Sequence, residues 1–287
     1  MTEAIKTSNL TKQYVDVCAV ENLNLSVQIG EIFGFLGPNG AGKTTTIRAL
    51  TGLTKPTSGS IYVSGFDVEK EPDKIKRIIG VVQQHLTFDL DLNLTENMDL
   101  HARLHHLGED ERRQRISELL EFVGLTKQGE KMIDDLSGGM KKAAMIARAL
   151  IHKPQVLFLD EPTVGLDVQV RRKMWDLIRS LSRGGTTIFL TTHYIEEAEA
   201  LCQHVGIINQ GHLIALGSPE QLRKENVGMV TVELLIDGSF SRYEHFADRD
   251  TALHYVHELP PDVKTVIRDS SLEDVFVKLT GKTVGDN

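Results

Sequence analysis

Cysteine is almost absent from this chain, with Cys18 and Cys202 as the two cysteines among 287 residues. They form neither a CxxC pair nor a zinc-ligand spacing, which excludes a disulfide scaffold and a zinc ribbon. We therefore expect two buried, reduced thiols in a protein of the cytosol.

Long apolar runs are missing as well. No stretch approaches the roughly 18 apolar residues that a transmembrane helix requires. The segment Met1–Lys6 lacks the charged-then-apolar pattern of a secretory signal. If the protein works at a membrane, we expect another chain to supply the membrane-spanning part.

The chain also lacks an excess of basic residues, since 32 Lys and Arg stand against 40 Asp and Glu, for a net charge of −8. Phosphate contacts need clustered cations, so this balance disfavours a general nucleic-acid or anionic-membrane binder. The content of 40% hydrophobic and 25% charged residues is that of a globular protein, which at this length buries a core without disulfides or metals.

Short apolar strands alternate with helices along most of the chain, which predicts a parallel α/β core. The fully apolar run Val156–Leu159 is typical of a buried parallel strand. We expect residues of about 85–153 to form an inserted, mostly helical subdomain. Within it, Asn93 and Glu96 match a capping box, and we expect Gly108 to stop that helix.

A change of composition near residues 226–228 separates residues 1–226 from a C-terminal region, 227–287. In that region strand and helix patterns alternate again, which predicts a small α/β appendage. Ser271, with Asp274 three residues later, predicts the start of a last helix.

Residues Gly37–Thr44, with the sequence GPNGAGKT, match the phosphate-loop pattern GxxxxGK[ST]. Glycines let consecutive backbone N–H groups converge on phosphate oxygens, and the following helix adds its positive N-terminal end. Lys43 supplies a charge for the outer phosphates, and the Thr44 hydroxyl is suited to Mg²⁺. A strand before the loop and a helix after it favour nucleotide binding over a plain glycine-rich turn.

Two acids follow the apolar strand that ends at Leu159. In a parallel sheet that strand delivers Asp160 beside the phosphate loop, where its carboxylate suits Mg²⁺. Glu161 is then placed to orient or deprotonate an attacking water. A GTPase needs the pattern [NT]KxD to recognise guanine. The Thr-Lys pairs of this chain lack the Asp two residues after the Lys, which disfavours a GTPase.

The segment Leu136–Met140, with the sequence LSGGM, places Ser and two glycines at a predicted helix start, which is a second anion site. With this motif the chain resembles the ATP-binding subunit of ABC transporters over about residues 4–226. That family implies a P-loop (RecA-like) parallel-sheet core with an antiparallel β part and an inserted helical subdomain. It also implies ATP and Mg²⁺ as cofactors.

The resemblance implies a role for each matching position. It assigns catalysis to Glu161, His193 and Gln84, and Mg²⁺ binding to Thr44, Gln84 and Asp160. Here Gln83 precedes Gln84 where proline is usual, and Met140 replaces the commoner glutamine. Residues that would contact the nucleotide, in one protomer or the other, are Tyr14, Gly37, Pro38, Asn39, Gly40, Ala41, Gly42, Lys43, Thr44, Thr45, Ser137, Gly138, Gly139 and Asp167.

The resemblance further implies a head-to-tail homodimer. ATP would lie between the phosphate loop of one protomer and the LSGGM segment of the other, which we call the signature. It implies an integral membrane permease subunit as partner, a peripheral location on the cytoplasmic face of the membrane, and no nucleic-acid partner. Similarity of residues 137–141, 192–198 and 271–276 to exporter subunits favours export.

Other functions remain alternatives at this point. One is an importer subunit, and another is a soluble ABC ATPase that acts on ribosomes or nucleic acid. The second is disfavoured because such proteins usually carry two ATPase domains or a long coiled coil. A third alternative makes the chain a regulatory module with its C-terminal appendage as sensor, although the appendage could instead stabilise the dimer.

Histidines one turn apart raise the question of a metal site. His101, His105 and His106 lie on one predicted helix, but no carboxylate completes a recognised ligand spacing. We expect a solvated helix face there, and the same for His254 and His257.

Overall fold

The computed structural model describes residues 3–236, 239–260 and 263–281. Strands and helices alternate along the chain, as the sequence predicts. The strands are β1 (Glu3–Tyr14), β2 (Val17–Gln28), β3 (Ile32–Leu36), β4 (Ser58–Val63), β5 (Phe66–Asp67), β6 (Ile79–Val82), β7 (Val156–Asp160), β8 (Thr187–Thr192), β9 (His204–Asn209), β10 (His212–Gly217), β11 (Val230–Ile236), β12 (Ser239–Phe246) and β13 (Lys264–Asp269).

The helices lie between these strands and after the last of them. They are α1 (Lys43–Leu50), α2 (Pro72–Ile78), α3 (Leu94–Leu104), α4 (Glu109–Phe122), α5 (Gly138–Ala149), α6 (Val168–Arg183), α7 (Ile195–Leu201), α8 (Pro219–Asn226), α9 (Arg249–Glu258) and α10 (Leu272–Thr280).

The main sheet has six strands in the order β10-β9-β3-β8-β7-β6 and is parallel except for the antiparallel edge strand β10. All residues of β3, β7 and β8 are buried, which explains the nearly continuous apolar sequences of β3 and β7. In register, Leu36 lies beside Thr192 and Asp160 beside Thr191. The ends of three strands therefore meet at one edge, as predicted from the motifs.

An antiparallel sheet in the order β2-β1-β4-β5 covers one side of the main sheet. Its residues Leu10, Leu23 and Val63 pack in the same core as Phe33 and Phe35 of β3. This sheet is the antiparallel part that the family resemblance implies. The P-loop α/β fold is thus confirmed.

Helices α3, α4 and α5 form the insertion between β6 and β7. The predicted capping box is present, because Asn93 accepts from the Glu96 N–H and the Glu96 carboxylate accepts from the Asn93 N–H. The expected stop at Gly108 is wrong. Helix α3 already ends at Leu104, because His106, two residues later, takes a left-handed conformation with φ 61°. Gly108 is instead the N-terminal cap of α4.

The last part of the chain contains a three-stranded antiparallel sheet, β12-β11-β13, with α9 against it. Strand β12 was not predicted from the sequence. Helix α10 leaves this sheet and packs on α7 and α8, so Leu272, Val275 and Phe276 join the main core. Helix α10 thus shares a core with residues 1–226. The boundary between the ATP-binding region and the C-terminal region at residue 227 stays a prediction.

Three expectations about single residues change with the structure. Cys202 is buried as expected, but Cys18 is exposed, because it lies on the edge strand β2. His106 is exposed, whereas His101 and His105 are half-buried and do not form the solvated face that we expected. In the part of the chain that the structure describes, no helix combines the length and apolar character needed to cross a bilayer.

The docking of α10 gives a stability prediction. Phe276 is 1% exposed within the main core, so Phe276→Ala should lower the free energy of unfolding by about 3–5 kcal/mol. Leu279, on the same helix but 38% exposed, serves as the control, and Leu279→Ala should change it by less than about 0.5 kcal/mol. Urea denaturation measures both. Equal losses would show that α10 does not depend on its buried face.

Candidate active site

The phosphate loop joins β3 to α1, and close backbone contacts require glycine at two of its positions. A Cβ at Gly37 would lie 2.3 Å from the carbonyl oxygen of Ile208. A Cβ at Gly42, whose φ is +108°, would lie 2.4 Å from the carbonyl oxygen of Ala19. Strand β9 and the segment around Ala19 therefore hold the loop against the sheet edge, with the α1 N-terminus directly behind it.

Lys43 is the buried cation of this loop, with 5% of its side chain exposed. Its ammonium donates to the carbonyl oxygens of Gly37 at 2.8 Å and Pro38 at 3.0 Å. It also pairs with the Glu161 carboxylate at 3.2 Å. Burial lowers the pKa of Lys43, and the negative charge of Glu161 opposes that shift.

Asp160 faces the hydroxyl at the start of α1. Its Oδ1 lies 3.4 Å from the Thr44 hydroxyl and accepts a 2.6 Å hydrogen bond from the Thr191 hydroxyl of the neighbouring strand. The carboxylate and the hydroxyl are thus fixed by β7 and α1, respectively. Two oxygen ligands of the kind that Mg²⁺ prefers lie side by side.

Glu161 has a strained backbone and a fixed side chain. Its φ is 51°, in the left-handed region, which is uncommon for a residue other than glycine. Its N–H donates to the Thr191 carbonyl oxygen at 3.1 Å. Its carboxylate lies 2.8 Å from Nδ1 of His193 through Oε2, and it pairs with Lys43 through Oε1. Lys43, Glu161 and His193 therefore form one continuous polar chain.

Lys43, Thr44 and Glu161 border a cavity of about 570 Å³ at the edge of the sheet, whereas Asp160 and His193 are not part of its wall. Most of the predicted phosphate-loop residues line it, together with Gln84 and Glu161. Lys142, a residue of the signature helix, donates to the Gln84 carbonyl oxygen at 2.7 Å. The full wall consists of Val17, Cys18, Ala19, Asn39, Gly40, Gly42, Lys43, Thr44, Thr45, Gln84, Glu161, Gln210 and Gly211.

Sequence reasoning missed two parts of this wall, residues 17–19 and Gln210–Gly211. Both belong to strands or turns whose own sequence carries no phosphate-binding motif. Gly211 was the one local signal, since glycine is typical of a tight turn. It lies in the turn between β9 and β10 with a φ of +83°. Residues 17–19 enter the site because β2 folds back over the loop.

Two predicted residues have other contacts here. Tyr14 is 41% exposed, and the Lys12 ammonium lies 4.7 Å from its ring centre. The Asp167 carboxylate accepts from the N–H groups of Gln169 and Val170 and caps α6. Neither residue lines the 570 Å³ cavity, so their proposed contacts with a nucleotide need a further binding surface.

The signature segment lies apart from the phosphate loop. Ser137 caps α5, its hydroxyl accepting from the Met140 N–H, and Ser137 and Gly139 border a different cavity of about 490 Å³. Space is open around Gly138, where a Cβ would meet no atom within 4 Å. One chain therefore presents two anion-binding elements that do not share a cavity.

The sequence profile described as ABC transporter matches residues 20–164. The chain belongs to the ABC transporter family. It is 39% identical over 303 residues to the Nod factor export ATP-binding protein I of Cupriavidus metallidurans, an alignment that covers 100% of both chains. It is 44% identical over 225 residues to the daunorubicin resistance ATP-binding protein of Streptomyces coeruleorubidus, covering 78% of this chain and 71% of the other.

Solved structures of ABC cassettes share the fold. One is cbiO1 from Clostridium perfringens, part of the ABC transporter complex cbiONQ, with a TM-score of 0.71 and 30% identity over 77% of this chain and 91% of that chain. Another is an ATP-binding cassette solved as a dimer in a post-hydrolysis state with ADP and Pi. Its TM-score is 0.69, with 28% identity over 75% of this chain and 98% of that chain. The chain is an ATP-binding ATPase of this family.

The Thr191 hydroxyl gives a prediction for the site. Thr191→Val removes the donor to Asp160, so we expect ATPase activity or Mg²⁺ affinity to fall by about 10–100-fold. Thr187, buried on the same strand, accepts from the Gly30 N–H at the opposite end of the sheet. Thr187→Val is the control and should keep both properties. Equal effects of the two variants on Mg²⁺-dependent turnover would exclude a specific role for Thr191.

Proposed function

We propose that this chain is the ATP-hydrolysing energy subunit of an ABC exporter and that it works as a head-to-tail pair of identical copies. The observation that carries the proposal is the separation of the two anion-binding elements. The phosphate loop lines one cavity, and Ser137 and Gly139 of the signature line another, so a single chain does not bring both elements to one nucleotide. A second copy supplies the missing half of each site.

The phosphate loop binds the ATP phosphates through its backbone N–H groups and through Lys43. Mg²⁺ fits the adjacent oxygen ligands, because the Thr44 hydroxyl and the Asp160 carboxylate are neighbours and Gln84 lines the same cavity. When bound, the ion supplies positive charge that stabilises the charge developing on the phosphate oxygens.

Glu161 is the proposed general base. When ATP is bound, Lys43 turns to the outer phosphates and releases Glu161 Oε1, which accepts a proton from water as the water oxygen attacks the γ-phosphorus. The bond from that phosphorus to the ADP oxygen breaks. His193 holds the other carboxylate oxygen, so the base keeps its orientation throughout.

ATP closes the pair because its γ-phosphate contacts both halves only in the closed state. A ligand shifts a conformational equilibrium only by its differential affinity for the two states. Ser137 and Gly138 lie at the exposed start of α5. The positive N-terminal end of that helix binds the partner's nucleotide in the closed state. Hydrolysis removes this bridge, and the pair reopens.

Export by way of a separate membrane permease is supported by the relatives. The Nod factor export protein is matched along 100% of both chains, including the C-terminal region. We therefore favour export over import and place the protein at the cytoplasmic face of the membrane, bound to a permease that carries the spanning helices.

Glu161→Gln tests the catalytic and dimer proposals together. The amide keeps the shape and a hydrogen-bonding group beside Lys43 and His193 but loses the base. We expect ATP binding to be retained, turnover to fall at least about 100-fold, and a stable dimer to form with ATP in light scattering. Wild-type turnover would remove Glu161 from its role.

A second substitution, made in the Glu161→Gln background, tests whether the start of α5 contacts the nucleotide of the partner. Gly138→Asp is sterically tolerated, and an acid is favourable at a helix start, but its charge repels phosphate. This variant should bind ATP as a monomer and fail to dimerise, while the matched Gly138→Ala should still dimerise. Dimerisation of the Asp variant would contradict the proposed contact.

Purification from native membranes in mild detergent tests the permease proposal. We expect a multispanning subunit to accompany the protein in a fixed ratio, because the described residues include no helix suited to span the bilayer. Recovery of ribosomal or nucleic-acid components without such a subunit would contradict the exporter proposal and leave the ATPase assignment intact.

A further inference from the structure

Three histidines meet on the side of the molecule where the helical insertion joins the main sheet. His101 lies in α3, His105 caps its C-terminal end, and His152 lies in the turn between α5 and β7. The ring centres of His105 and His152 are 3.7 Å apart and stacked, and that of His101 is 4.8 and 6.2 Å from them, respectively. All three side chains are half-buried.

His152 has the hydrogen-bond pattern of a metal ligand. Its Nε2 lies 2.8 Å from the carbonyl oxygen of Ile79, and because a carbonyl only accepts, Nε2 carries the proton. Nδ1 then bears a lone pair. That atom is buried and has no hydrogen-bond partner in the described structure. An imidazole that donates through one nitrogen and leaves the other available is typical of metal-ligating histidines.

The other two imidazoles complete a suitable set of ligands. Each residue offers one ring nitrogen such that the three atoms lie within 4.8 Å of one another. A metal ion binds the neutral imidazole through a nitrogen that carries no proton, which is the state that the contact with Ile79 leaves at Nδ1 of His152.

We propose that His101, His105 and His152 form a binding site for a divalent transition-metal ion, with Zn²⁺ as the best fit. Three imidazole nitrogens with a fourth position for water is an established zinc geometry. The site is separate from the nucleotide cavity, and none of its residues belongs to an ABC motif found in the sequence.

Binding requires a small rearrangement. Zinc bonds of about 2.0–2.1 Å to nitrogen hold tetrahedral ligands about 3.3 Å apart, closer than the 4.8 Å limit of the cluster. Ligand lone pairs lie in the ring plane, so the stacked His105 and His152 rings must turn toward each other. The adjoining cavity of about 900 Å³ gives His105 room to turn and admits water as the fourth ligand.

Nearby cations weaken the site without closing it. Arg148, whose charge lowers the pKa of His101, is held by the Thr87 carbonyl oxygen and stacks 4.5 Å from the Phe88 ring centre. Lys76 and Arg77 line the same cavity, as does Asp73 with the opposite charge. We therefore use metal at micromolar concentrations rather than trace amounts in the test.

A bound ion would connect elements that are distant in sequence. It would tie the end of α3 to the turn before β7, the strand that carries Asp160, and His152 already holds β6 through Ile79. Because the ion binds the folded chain, it should raise the midpoint of thermal unfolding by mass action.

The test uses the full-length, untagged protein without nucleotide, in excess Mg²⁺ to occupy the carboxylates near the phosphate loop. Co²⁺ is titrated first, because its visible bands report four-coordinate geometry, and Zn²⁺ is then added to displace it. His105→Ala is the site variant, since His105 lies at a helix end and is expected to fold. His106→Ala, at the exposed neighbour, is the matched control.

We expect one equivalent of four-coordinate Co²⁺, its displacement by Zn²⁺, and a higher unfolding midpoint with Zn²⁺. His105→Ala should weaken binding at least about 100-fold, and His106→Ala should behave as the wild type. A purely six-coordinate spectrum with the wild type, or equal binding by the two variants, would overturn the proposal.

Discussion

The polar chain formed by Lys43, Glu161 and His193 is the interaction on which the rest of the site depends. Lys43 and Glu161 are both almost fully buried, with 5% and 6% of their side chains exposed. Charges at such positions are tolerated only when paired, and removing one partner typically costs about 3–5 kcal/mol. The pair therefore fixes the positions of the Lys43 ammonium and the Glu161 carboxylate at the same edge of the sheet.

Three central strands of the main sheet build this edge. The buried strands β3, β7 and β8 bring the phosphate loop, the two acids and His193 to adjacent ends, and Thr191 links the acids to the strand beside them. The insertion carries the second anion-binding element, at the start of α5, to a separate cavity. In the proposed head-to-tail pair, catalysis by one copy depends on the other, which couples turnover to movement between subunits.

Features encoded by neighbouring residues could be predicted from the sequence. The phosphate loop, the buried strand before Asp160 and the capping boxes at Asn93 and Ser271 all lie where local patterns place them. Features that depend on distant contacts could not be. The wall residues 17–19 and the meeting of His152 with His101 arise only from packing between segments far apart in sequence. Strand β12 is a different case, because it pairs with the neighbouring strand β11 and its segment Ser239–Phe246 carries no clear apolar alternation. The error at Gly108 has a different cause, because His106 adopted the left-handed conformation that glycine usually supplies.

The central claim is that the signature of one copy faces the phosphate loop of the other, and cysteine cross-linking measures it directly. Asn39→Cys and Ser137→Cys chains, both at exposed positions, are mixed after the exposed Cys18 is replaced by Ser in each. Glu161→Gln is included in both to prevent turnover. The account predicts a disulfide-linked dimer in the mixture with ATP, and none with either chain alone or without ATP. A cross-link that ignores ATP, or no cross-link with ATP bound, would contradict it.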